Sequence, residues 1–167
     1  MKYDVEWRGQ KYTMEWFEET NFEELENATQ AYGFIFNEDK KVCIVNFRKD
    51  YWTLPGGTPE EYDKTFEDTL KREADEEADL DLKNVTRVGY FKVTPISDNC
   101  ERKDIHYALR FAAEVDKLKE QTIDPDEGFI PERKFISPKD FKKYTGWDNG
   151  AFQLKKAMEA LYNESKI

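Results

Sequence analysis

The segment from Thr65 to Ala78 reads as an amphipathic helix whose pattern contradicts itself. At about 100° per residue, Phe66, Leu70, Ala74 and Ala78 form one apolar stripe. On the same wheel Glu77 falls inside that stripe, between Phe66 and Leu70, and Glu73 sits on its edge, with Glu76 flanking. A carboxylate withdrawn from water loses hydration worth several kcal/mol unless something pairs with it. Carboxylates at spacing i, i+3, i+4 also converge on one spot and raise one another's pKa. Acidic runs on helices are ordinarily solvated, but here helical phase turns the acids inward. Protonation or a hard divalent cation with oxygen ligands would relieve them. Pro55-Gly56-Gly57, just upstream, would let main-chain carbonyls approach such an ion closely.

Composition sets the frame for this helix. The chain has 167 residues, suited to one domain spanning 1–167. Charged residues make up 37%, which hints at disorder, but 4 Trp, 9 Tyr and 12 Phe supply the apolar mass that disordered chains lack. The net charge of −10 argues against a nucleic-acid polymer as partner, since phosphate contacts need clustered Lys and Arg. No apolar window is long enough to span a membrane, and MKYDVEWRGQ lacks a signal core, so the expected location is cytoplasmic. Cys43 and Cys100 have no metal spacing and read as free thiols in a reducing compartment.

Alternating residues predict a hairpin over 3–16, turning at Gly9-Gln10, within an N-terminal extension of residues 1–28. Residues 21–29 read as a short helical or loop connection. Strands are expected at 31–36 and 42–47 around the turn Asn37-Glu38-Asp39-Lys40, and Pro55-Gly56-Gly57 should end regular structure. Thr65 and Asp68 form a shortened capping box for the helix. Further strands are expected at 85–93, stopped by Pro95, at 105–115, and at Phe135-Ile136 after an irregular acidic loop from 116 to 133. Ser137-Pro138 opens a second helix, and a last helix runs from Gly150 to Asn163. Interspersed strands and helices define a mixed α/β class.

The stretch Gly57 to Leu80, GTPEEYDKTFEDTLKREADEEADL, resembles the box of the Nudix family, G-x5-E-x7-R-E-U-x-E-E-x-G-U with U apolar. Arg72-Glu73-Ala74, then Glu76-Glu77, match its R-E-U-x-E-E core at every fixed position, and Leu54-Pro55-Gly56-Gly57 matches the L-P-G-G that commonly precedes it. Two departures stand out: Asp63 occupies the Glu position with one residue inserted before Arg72, and Asp79 replaces Gly. The insertion leaves open which acid partners Arg72. The resemblance implies an α/β/α sandwich with a mixed sheet, the box lying at residues 57–80. It implies hydrolysis of a nucleoside diphosphate linked to a group X, dependent on Mg²⁺ and sometimes Mn²⁺.

By the same resemblance, Gly57, Glu73, Glu76 and Glu77 are metal ligands, and Arg72 orients the glutamates. Glu73 or Glu76 would accept the proton of the attacking water, with the loop acids Glu127 and Glu132 as alternatives. A MutT-type nucleoside triphosphate pyrophosphohydrolase is expected. Pro95, 15 residues beyond Leu80, points instead to ADP-ribose or another nucleoside diphosphate sugar. A module that senses nucleotide without cleaving it is the rival class. Tyr32, Phe47 and Trp52 are candidates to stack on a base, although strand aromatics are mostly core. His106, the sole histidine, alternates onto the face of Ala108, Arg110 and Ala112 and reads as structural. The run Asp124 to Gly128 fails as a calcium loop on its ligand, glycine and proline positions. The expected state is a monomer or homodimer, the latter through the aromatic hairpin.

Overall fold

The computed structural model describes residues 1–162. β1 (Lys2–Trp7) and β2 (Gln10–Phe17) form the N-terminal hairpin. Its turn is Arg8-Gly9, both left-handed with φ of 51° and 75°, while Gln10 already pairs with Trp7. Two positive-φ residues twist the chain in the sense the strands need, which is why the turn sits one residue earlier than the sequence suggests. A single 3-10 turn at Phe22–Glu24 plugs Phe22 into the core before β3 (Ala28–Phe36). β4 (Val42–Asn46) returns antiparallel, its turn held by Asn37 Oδ1, which accepts from the amides of Asp39 and Lys41.

The Gly-Gly pair does not end regular structure. Gly56–Gly57 forms a two-residue strand, β5, paired with Tyr32 and Ala31 of β3. Gly56 takes φ 154°, and a Cβ there would overlap the Ala31 carbonyl, so only glycine lets this segment join the sheet. Helix α1 (Phe66–Ala78) follows with the expected capping box, Thr65 Oγ1 accepting from Asp68 N and Asp68 Oδ2 accepting from Thr65 N. It ends at Asp79 in the left-handed conformation, φ 52°. Asp79 offsets that strain by accepting from both the amide and the hydroxyl of Thr122 at 2.8 and 2.7 Å. The same bonds anchor the loop that follows β7.

β6 (Leu80–Pro95) and β7 (His106–Leu118) are longer than the sequence suggests, because register shifts let polar stretches stay paired. The irregular loop is therefore shorter, spanning 119–131, and β8 (Glu132–Ile136) starts earlier than Phe135. A 3-10 turn at Pro138–Asp140 leads into α2 (Phe141–Thr145), and α3 (Gly150–Tyr162) closes the described chain. Asn163, the expected last helical residue, lies outside the described residues. The strands make one open mixed sheet in the order β1-β2-β6-β7-β3-β4-β8, with β5 on β3 and only β3/β7 parallel. Alternation along β3 sends Phe34 and Phe36 to one face and Ile35 to the other. Leu70, Ala74 and Ala78 of α1 cover the Ile35 face; Phe141, Leu154 and Ala157 of α2 and α3 cover the opposite one. The result is the expected α/β/α sandwich.

Candidate active site

Glu73 and Glu77 are both 8% exposed, as the helical wheel requires. The Glu77 carboxylate accepts from Gly56 N at 3.3 Å and is in hydrogen-bond contact with Glu73. Burial pushes Glu77 well above the usual carboxylate range, and the neighbouring Glu73 pushes it further. Glu73 is raised by burial too, with Arg72 opposing. Burial and mutual repulsion thus disfavour charge on both carboxylates, most strongly on Glu77. Gly57 lies flat against Glu73, where any Cβ would overlap the carboxylate. The Gly-Gly strand thus delivers backbone to the acids, and its lack of side chains makes room for them.

Glu76 is the most accessible of the three, its side chain 21% exposed; burial first, then Glu73, raises its pKa. Arg72 ties the cluster together. Its Nε and Nη2 grip Asp63 at 3.0 and 2.9 Å in a two-point contact, and Nη1 reaches Glu73 at 3.0 Å and Glu76 at 3.3 Å. Nη2 also donates to Thr58 O. The inserted residue in the box thus leaves Arg72 with its acid: Asp63, lengthened in reach by its loop, holds the guanidinium while accepting from Thr69 Oγ1 and Glu60 N. Arg72 holds Asp63 below the usual carboxylate range.

Two acids of the 119–131 loop bear on the cluster and were not anticipated. Asp126 and Asp124 raise the pKa of Glu76; Asp126 also acts on Glu73, and Asp124 on Glu77. Asp124 is 2% exposed and accepts from the amides of Asp126 and Glu127, which fixes the loop. Glu127 and Glu132, the loop acids singled out from sequence, are both exposed. Nothing in an already acidic chain marks one loop aspartate over another.

Three carboxylates, Asp63, Glu73 and Glu76, contact the Arg72 guanidinium, with Glu77 beside Glu73, and all the donors are hard oxygens, a set that fits a hard divalent cation. As placed, Arg72 Nη1 lies between Glu73 and Glu76, and no three acidic, histidine or cysteine side chains among the described residues converge on one point. Tyr32 lies beneath Arg110, 5.5 Å from its guanidinium carbon, and Trp52 contacts Tyr144 at 6.0 Å. Phe47 packs instead with the core under α1. His106, half-buried with its pKa lowered by burial, places Nδ1 3.3 Å from Asp104 O. With Gln30, Thr58 and Tyr12 it borders a cleft of about 370 Å³ beside the box loop.

A family profile for the NUDIX domain matches residues 26–157. The chain therefore belongs to the Nudix family, and the expected class of enzyme, a hydrolase of phosphoanhydride bonds, agrees with that membership. No curated protein sequence matches it. Among solved structures it is similar to the pyrophosphohydrolase BsRppH of Bacillus subtilis, solved as a point mutant, with 17% identity, 94% of this chain and 96% of that chain covered, and TM-score 0.70. It is also similar to a mutator MutT protein of Bacillus halodurans, at 20% identity, 75% and 78% coverage and TM-score 0.57. A third is the NUDIX domain of Shewanella oneidensis NrtR complexed with ADP ribose, at 16%, 80% and 87%, and 0.59. At these identities the likeness is one of fold.

Proposed function

We propose that this protein hydrolyses a phosphoanhydride bond of a nucleoside diphosphate linked to X, with a nucleoside triphosphate as the preferred substrate and Mg²⁺ (or Mn²⁺) as the cofactor. The observation that carries this reading is the buried Glu73–Glu77 pair beside Glu76 on the box helix, with Arg72 bonded to Glu73 and Glu76. Glu73, Glu76, Glu77 and the Gly57 carbonyl would hold the ion. When bound, it neutralises diphosphate charge and makes water a better nucleophile.

The chain's own residues do the rest. Arg72, clamped by Asp63, orients Glu73 and Glu76 as an outer layer of hydrogen bonds. Glu76 is favoured as the proton acceptor, because it is the most exposed of the three and burial, then Glu73, raises its pKa, which favours proton uptake. Glu77, buried behind Gly56, suits that role least. ADP-ribose is the alternative substrate; a complex with it is described for the Shewanella NUDIX domain, which shares this fold. A purely sensing role is disfavoured, since none of the three helix glutamates, Glu73, Glu76 and Glu77, is missing.

The profile match begins at residue 26, which supports one catalytic domain preceded by the hairpin extension of 1–28. Two free cysteines, and no described helix long and apolar enough to cross a membrane, support a cytoplasmic setting. The test is a panel of canonical and oxidised nucleoside triphosphates, ADP-ribose, nucleoside diphosphate sugars and dinucleoside polyphosphates, assayed with Mg²⁺. Glu76→Gln and Glu77→Gln should each slow turnover by orders of magnitude with folding retained. Wild-type rates in both variants would remove the mechanism.

A further inference from the structure

Arg110 lies on β7 beneath α3 and is 6% exposed, yet no carboxylate among the described residues touches it. Nε donates to Gln153 Oε1 at 3.1 Å and Nη1 to Leu109 O at 3.2 Å, while Nη2 makes no hydrogen bond among the described residues. The rings of Tyr32, Phe91 and Trp147 stand 5.5, 5.4 and 5.8 Å from the guanidinium carbon. Burial lowers its pKa to about 10, which still leaves it charged at neutral pH. Every partner is neutral. Dipoles and ring faces soften the desolvation of a buried cation but supply no counter-charge. Packing alone would be served by an uncharged side chain on this face.

Its position connects it to the box. Arg110 is the cross-strand neighbour of Tyr32, and Tyr32 of Gly56. At the usual strand spacing, Arg110 Cα is roughly 10 Å from Gly56 Cα, within range of a long side chain and an extended polyphosphate. Tyr32, whose pKa burial raises, also feels the charges of Glu77, Arg110 and Glu73. A cleft bordered by Gln30 and His106 lies along the same strand pair, where Gln30 pairs with Ala108, two residues before Arg110.

We propose that Arg110 is a substrate-binding residue that receives an anionic phosphate oxygen of the nucleotide, the counter-charge its surroundings lack. A nucleobase carbonyl would leave the full charge uncompensated, so phosphate is the ligand chemistry assigned. This inference rests on the nucleotide-hydrolase reading above.

The test compares wild type with Arg110→Met, which keeps an unbranched, flexible side chain and removes charge. Affinities for inorganic pyrophosphate, ATP and adenosine are measured by calorimetry with Mg²⁺, alongside melting temperature and KM on the best substrate of the panel. Affinity for pyrophosphate and ATP should fall at least tenfold and KM should rise in step. Adenosine binding should be unchanged, and the melting temperature should hold or rise, because the variant relieves a buried unpaired charge. Pyrophosphate and ATP affinities within twofold of wild type, or a loss confined to adenosine, would overturn the assignment. Should the Met variant not fold, Arg110→Gln repeats the comparison with the same outcomes. Wild-type turnover with an unaltered variant KM sinks this inference alone; phosphate binding through Arg110 without any turnover sinks only the hydrolase reading.

Discussion

Glu77→Gln isolates the energetic conflict at the centre of the site. The amide keeps the shape and still accepts from Gly56 N, and its N–H donates to Glu73 without needing a proton. In the unfolded chain Glu77 ionises near 4.5, whereas the folded site holds its proton to well above that pH. Above 4.5 the unfolded state therefore binds one proton fewer than the folded state, and stability falls as pH rises, by about 1.4 kcal/mol per pH unit. The loss ends where the folded pair finally ionises. In EDTA the wild type should thus drop away from Glu77→Gln, the gap in melting temperature widening by about 3–6 °C over the first pH unit. Differential scanning calorimetry of both proteins from pH 4.5 to 8 reads this directly, and the difference removes the slopes of all other groups. Saturating Mg²⁺ should then raise the melting temperature of the wild type more than that of the variant. Parallel pH curves in EDTA would refute the reasoning, because they would mean that the fold itself satisfies an ionised Glu77.

Asp63→Asn breaks the two-point grip on Arg72; with Arg72 partly exposed, it should destabilise by about 2–3 kcal/mol in urea unfolding and lower kcat more than it raises KM. Gly57→Ala pushes Glu73 aside without backbone strain, so it should reduce turnover at least tenfold while costing only about 1 kcal/mol. Asp79→Gly restores the residue usual at this position in the box and relieves the left-handed strain, yet it forfeits both bonds to Thr122. Chemical denaturation should show no gain, with a net loss of about 1 kcal/mol, and hydrogen exchange in 119–131 should quicken.

The box helix was legible because its pattern breaks a physical rule: Glu73 and Glu77 sit in the apolar stripe, and the structure buries both. The capping box was readable from Thr65 and Asp68 alone, a local signal that the structure keeps. Gly56–Gly57 as a strand was not, since two glycines read as a stop and only the tertiary pairing with Ala31 and Tyr32 makes them β5. The polar part of β6, from Asp81 to Asn84, lacks strand character and is held by its partner β7. Asp124 and Asp126 reach the site through the fold of a loop that Asp124 itself ties, which no spacing encodes. Arg110 carried a signal of the same kind as Glu77, a lone charge on an apolar strand face between Ala108 and Ala112.

Product release across the nucleotide panel, followed for one enzyme sample in Mg²⁺, in EDTA, and in EDTA after Mg²⁺ is restored in excess, weighs most heavily on the whole account. Hydrolysis should appear with the cation, vanish on chelation and return on restoration, with Glu76→Gln inactive throughout. Undiminished hydrolysis in EDTA, or full activity in the variant, would contradict it.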